Sequence, residues 1–112
     1  PYAETRAVKE GLLCKAFARF LEREWHRDTA RAAQLRAYIA EEAWWLDDYA
    51  LFRVLHDRHQ ARAWWDWPAG LASRDQAALA AARVEHADAL LETCWRQWTA
   101  QRQWEAARRA LA

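Results

Sequence analysis

Trp44-Trp45-Leu46-Asp47-Asp48-Tyr49-Ala50-Leu51-Phe52, followed by Trp64-Trp65-Asp66-Trp67-Pro68, is the stretch on which the fold turns. Five of the nine tryptophans lie in these two runs. Trp45, Tyr49, Phe52 and Leu55 recur at i, i+4, i+7 and i+10, which places them on one face of a helix. Such a face needs cover, mostly from the rest of the chain and in part from outside it.

The chain has 112 residues, enough for one domain with a modest core. Apolar residues make up 54% of it, but many are alanine, which favours helix and buries little area. Two glycines and two prolines argue against a β-sandwich or a loop-rich fold. The expected class is therefore all-α: a small array of about four to five helices with one long aromatic loop, residues 1–112 forming a single helical domain. Nine tryptophans exceed what so small an interior readily encloses, so some rings should face a partner surface.

Formal net charge is +1, which offers no basic face for nucleic acid. No apolar run reaches the length of a membrane span and no signal-peptide pattern is present. Cys14 and Cys94 lack metal-type spacing and read as buried, reduced thiols of a cytoplasmic protein. The sequence starts at Pro1 and contains no methionine, the pattern expected of a processed product or a segment of a longer protein.

Outward from the tryptophan stretch, Ala3 to about Trp25 reads as a first helix, with Val8, Leu12 and Ala16 on one line and Leu13, Phe17 and Leu21 on the next. Asp28 or Thr29 can cap a second helix bearing Leu35, Tyr38 and Ile39. A kink near Ala43 would turn the Trp45 face towards the core, and Trp44 to about Arg58 forms the next helix. His59 to Ser73 reads as a packed loop, since Trp67-Pro68 and Gly70 disfavour helix. Ser73-Arg74-Asp75-Gln76 has the form of a capping box, predicting a helix start there with Ser73 as cap. No stop signal follows before Leu111, so one helix of more than thirty residues is predicted.

Asp47 and Asp48 are adjacent and point about 100° apart on a helix, so they do not converge on one atom. Asp48 lies on the Trp45/Phe52 side, where partial burial would call for a donor such as arginine. His56 and His59 have i, i+3 spacing without a third ligand, so no metal site is predicted. No nucleophile motif and no phosphate loop is present. Trp64, Trp65 and Trp67 are the candidate substrate-binding residues, because flat rings stack on sugar faces; core or interface filling is the other reading. The bare sequence leaves both open.

Four segments carry a family resemblance. Tyr2, Lys9, Leu12-Leu13 and Ala16-Phe17-Ala18-Arg19-Phe20 match the first. Trp45-Leu46-Asp47-Asp48-Tyr49-Ala50-Leu51-Phe52 is the most specific, and Trp64-Trp65-Asp66-Trp67-Pro68 is the third. Gln97-Trp98 with Gln103-Trp104 is the fourth. In this order they resemble the helical subdomain of bacterial 4-α-glucanotransferases, also called amylomaltases or disproportionating enzymes. Glu92, Thr93 and Arg96 depart from the aromatic and aliphatic residues that the family usually carries before Gln-Trp. The resemblance implies an insertion beside a (β/α)8 barrel whose enzyme transfers α-1,4-glucan units by a retaining mechanism on two carboxylates. It also implies no cofactor, the barrel as partner with α-1,4-glucan as a further one, and no catalytic residue in this segment. Trp45, Asp48, Tyr49, Phe52, Gln97, Trp98 and Trp104 then serve as structural motif residues. The alternative is a free-standing helical module that binds carbohydrate or protein through its tryptophan-rich face.

Overall fold

A computed structural model describes residues 2–60 and 62–111, and the described residues form an all-α structure. Six α-helices follow in order: α1 (Tyr2–Phe20), α2 (Ala30–Glu41), α3 (Ala43–Arg58), α4 (Ala69–Ala72), α5 (Gln76–Glu85) and α6 (Ala87–Leu111). The chain divides into two compact units, Pro1–Tyr38 and Ile39–Ala112.

In the first unit, α1 widens into a π-type turn over Leu21–Trp25, where the His26 amide donates to the Leu21 carbonyl at 2.9 Å. Thr29 supplies the cap of α2: its hydroxyl oxygen accepts from the Ala32 amide at 3.3 Å and the hydroxyl donates to Glu24 at 3.2 Å. Asp28 instead takes a left-handed φ of 52° and receives the Arg36 guanidinium at 2.6 Å. That guanidinium also lies 4.2 Å from the centre of the Trp25 ring, so one cation ties the turn to α2. Phe17, Phe20, Ala32, Leu35 and Tyr38 are buried. The predicted line Val8–Leu12 is exposed, whereas on the neighbouring line Phe17 is buried and Leu13 and Leu21 are partly covered. Cys14, expected to be buried, is also exposed.

In the second unit, the boundary between α2 and α3, which the sequence left open, falls at Glu42, and α3 then packs on α6. A cluster of Leu51, Leu55, Trp67, Leu79 and Ala82 joins α3 and α5, with Leu71 and Leu90 packed against it. The buried side of α3 is Leu46, Ala50, Leu51, Val54 and Leu55. It is thus rotated from the Trp45–Tyr49–Phe52 line, sharing only Leu55 with it. Aliphatic side chains of α3 thus enter the core, and its Tyr49 and Phe52 rings are left exposed on the flank.

Three boundaries differ from expectation. The His59–Ser73 connection contains a 3-10 turn, Trp64–Asp66, and the one-turn helix α4. Pro68 opens α4 rather than preventing it, accepting from Leu71 at 2.9 Å and Ala72 at 3.0 Å through its carbonyl. A proline costs nothing where its missing N–H would have had no helical partner. Ser73 closes α4, and its hydroxyl donates to the Gly70 carbonyl at 3.3 Å. The cap of α5 is Asp75, whose carboxylate accepts from the Ala78 amide at 3.0 Å. Finally, the predicted single long helix is divided at His86, which has φ −107° and ψ 24°.

Candidate functional site

Two of the motif residues, Tyr49 of α3 and Gln97 of α6, meet in the second unit. Gln97 donates from Nε2 to the Tyr49 hydroxyl at 3.3 Å, and the Trp45 and Tyr49 rings lie 5.8 Å apart. The Trp45 indole donates to Glu42 Oε2 at 3.0 Å, which fixes the ring at the start of α3. Trp95 and Trp98 are buried, and the Arg102 guanidinium stands 4.9 Å from the centre of the Trp98 ring. Glu92 and Arg96, which depart from the family pattern, form a half-buried ion pair at 2.8 Å along α6. The pair neutralises the two charges on the flank, so the buried side of α6 stays apolar. Trp104 is joined to none of this and is exposed.

Asp47 and Asp48 share one arginine. Arg83 Nη2 is 3.1 Å from Asp47 Oδ2 and 3.5 Å from Asp48 Oδ1, tying α3 to α5. An arginine is one of the two kinds of partner that the sequence suggested, but the partial burial of Asp48 is not found: its side chain is 69% exposed. Ion pairs this open contribute about 0–1 kcal/mol.

The tryptophan loop divides in two. Trp67 is 8% exposed, and its indole donates to the Arg62 carbonyl at 3.0 Å. Its ring lies 5.5 Å from Phe52 and 5.8 Å from His59. Trp64 and Trp65 meet edge to face at 5.5 Å, and both remain exposed. Of the three candidate sugar-stacking residues, only these two offer a free face.

Between α3, the loop and α5 lies a cleft of about 240 Å³. Leu51, Leu55, Trp67 and Leu79 make its floor, Phe52 and Trp64 its walls, and Asp48 and Arg74 stand at its mouth. Sequence reading missed the contribution of Arg74 and Leu79, since nothing local marks them as neighbours of the tryptophan motif. The periodicity of α5 about Leu79 and Ala82 was the available signal.

Among the described residues, no group of three or more histidine, cysteine, aspartate or glutamate side chains could hold a metal ion. No described helix is long and apolar enough to cross a membrane. Cys94 is buried on α6, and that burial, with the Asp47 carboxylate adding to it, pushes the thiol up to about 11. It is therefore an unreactive thiol at neutral pH.

A family model described as 4-alpha-glucanotransferase matches residues 1–112. The chain is also similar to a 4-alpha-glucanotransferase of Thermus thermophilus, at 35% identity over 105 residues. The match covers 94% of this chain and 20% of that relative, so the chain spans one fifth of the relative's length.

Proposed function

The chain belongs to the 4-alpha-glucanotransferase family, and from that premise we propose that it is a single helical, non-catalytic subdomain of such an enzyme. In this reading it is inserted beside a catalytic (β/α)8 barrel and supports the wall of the glucan groove. The whole enzyme would transfer α-1,4-glucan segments between maltooligosaccharides in the cytoplasm, without a cofactor. The supporting observation is the cleft: Phe52 and Trp64 remain about half exposed over a floor of buried leucines and Trp67. Apolar surface of this kind is normally covered by other protein. The adjacent carboxylates point the same way. A retaining mechanism needs an acid and a nucleophile facing each other about 5–5.5 Å apart across the bond, whereas Asp47 and Asp48 are neighbours in one α-helix and share Arg83.

Incubation of the purified 112-residue chain with maltotriose tests this. The expected result is unchanged maltotriose; glucose together with longer maltodextrins would refute the non-catalytic role.

A second reading rests on the exposed Trp64–Trp65 pair, whose faces could stack on sugar rings. Titration of tryptophan fluorescence with maltoheptaose separates it from the first. Quenching that is lost in Trp64→Ala would favour binding, and an unchanged spectrum would favour packing.

A further inference from the structure

The cleft over Leu55 and Trp67 has a shape and polarity that select its occupant. Its volume, about 240 Å³, lies below the roughly 300–1,000 Å³ of pockets that enclose small organic ligands. It suits one large side chain. Its floor is apolar: Leu51, Leu55 and Leu79 are buried, and the indole N–H of Trp67 is already used by the Arg62 carbonyl. A sugar ring seated there would leave hydroxyls without partners, a loss that an apolar side chain does not incur.

The mouth is polar and two-signed. On the α3 side, two carboxylates share the single Arg83, and Asp48 is the more distant of the two at 3.5 Å. That side therefore keeps an excess negative charge and an acceptor turned to solvent. Arg74, exposed and with a left-handed φ of 58°, also lines the cleft and brings a positive charge to it. A segment that brings a donor or cation to Asp48 and a carboxylate or carbonyl to Arg74 would complement both edges.

We propose that this cleft is a socket for one large apolar side chain, flanked by charges of both signs, from a polypeptide segment of the same enzyme outside these 112 residues. This rests on the subdomain reading and gives it a specific docking point. Phe52 and Trp64 close on the inserted side chain from either side, and Asp48 and Arg74 set the direction of the segment.

The test on the 112-residue chain uses two capped tripeptides, acetyl-Lys-Phe-Glu-amide and acetyl-Lys-Ala-Glu-amide, with maltoheptaose as a third ligand. NMR follows the methyl signals of Leu51, Leu55 and Leu79 and the indole N–H of Trp64. The phenylalanine peptide should shift these signals with a Kd on the order of millimolar, and the alanine peptide should not. Ala72→Phe, which fills the cleft, should abolish the response; should that variant not fold, the alanine peptide remains the control. Equal response to both peptides, no response to either, or movement of the leucine methyls by maltoheptaose would overturn the socket. A benzophenone amino acid at position 64 of the full-length enzyme should crosslink to an apolar position in the same polypeptide; crosslinks between copies would overturn the assigned source. Glucosyl transfer by the isolated chain would remove the subdomain reading and leave peptide binding intact. An inactive chain that ignores the peptides would remove the socket alone.

Discussion

Trp98 and Trp104 both stand on α6, each preceded by a glutamine, yet Trp98 is 5% exposed and Trp104 64%. In the first half of the helix, α3 lies alongside, Cys94 and Trp95 are also buried, and Gln97 reaches the Tyr49 hydroxyl. From residue 101 to residue 111 every side chain is exposed. The same dipeptide thus has opposite surroundings, because burial is decided by what packs alongside and not by the local pattern. The tryptophan loop repeats the contrast, with Trp67 inside and Trp65 outside.

The largest effect should come from breaking this pair. Trp98→Ala should cost about 3–5 kcal/mol, the range for removing a buried aromatic ring, and Trp104→Ala should stay within about 0.5 kcal/mol. Urea unfolding of the two variants measures both. Equal losses would mean that Trp104 is covered in the isolated chain and that the division of α6 is wrong.

The two cysteines give a second contrast. Cys94 is buried with its thiol raised to about 11, and Cys14 is exposed. Iodoacetamide at pH 8 should label Cys14 first and reach Cys94 only on unfolding. The thiolate fraction at Cys94 should be about a hundredfold below that of a thiol at 9.0. The pH dependence follows. The folded state holds the Cys94 proton more tightly than the unfolded state, so its contribution to stability is complete below about 9 and is lost as pH rises towards about 11. A Cys94→Ala variant should show a flatter fall in stability over that window.

The two glycines sharpen the contrast at smaller scale. A Cβ at Gly70 would lie 3.0 Å from the Ala78 side chain, where α4 meets α5, and a Cβ at Gly11 meets nothing within 4 Å. At Gly70 that close contact works against the helix-propensity gain of about 1 kcal/mol, so Gly70→Ala should stabilise less than Gly11→Ala. Gly11→Ala should stabilise α1 by up to about 1 kcal/mol through helix propensity. Thermal unfolding checks the difference between the two.

These pairs also mark what was legible in the sequence. The helical class and a cap at Asp28 or Thr29 follow from alanine content, apolar period and a side-chain oxygen at the right place, whereas Glu41-Glu42-Ala43 holds no breaker and left the start of α3 open. The four family segments were legible as well, and the structure joins two of them at Tyr49 and Gln97. The division at His86 was not legible: no glycine or proline marks it, and helix propensity there is high. Tertiary packing overrides that propensity, with Leu79 and Ala82 joining the Leu55 cluster while α6 turns to lie on α3. The rotation of the α3 face was hidden for a similar reason. Aliphatic and aromatic residues count alike in a periodic pattern, so the period alone does not say which of two overlapping faces is covered. The cleft depends on Leu79 and Arg74 meeting Phe52 and Trp64 across the chain, which no local spacing encodes.

The smallest effect concerns the end of α4, where Ser73 and Asp75 flank Arg74. Three described non-glycine residues have positive φ: Asp28, Gln60 and Arg74. At such positions glycine is the usual residue, because a Cβ there costs roughly 1–2 kcal/mol. Arg74 holds its conformation because its amide donates to Leu71 at 3.1 Å and the next amide, that of Asp75, donates to Gly70 at 2.9 Å. Arg74→Gly should relieve the Cβ cost, offset in part by the greater freedom of glycine in the unfolded chain, for a net gain of about 0.5 kcal/mol. The same change leaves the floor of the cleft intact and removes the positive edge of its mouth. A small rise in unfolding midpoint, together with severalfold weaker binding of the phenylalanine tripeptide, is the expected pairing. A fall in midpoint would instead show that the guanidinium stabilises the isolated chain by more than its backbone costs, placing Arg74 among the residues that hold the fold.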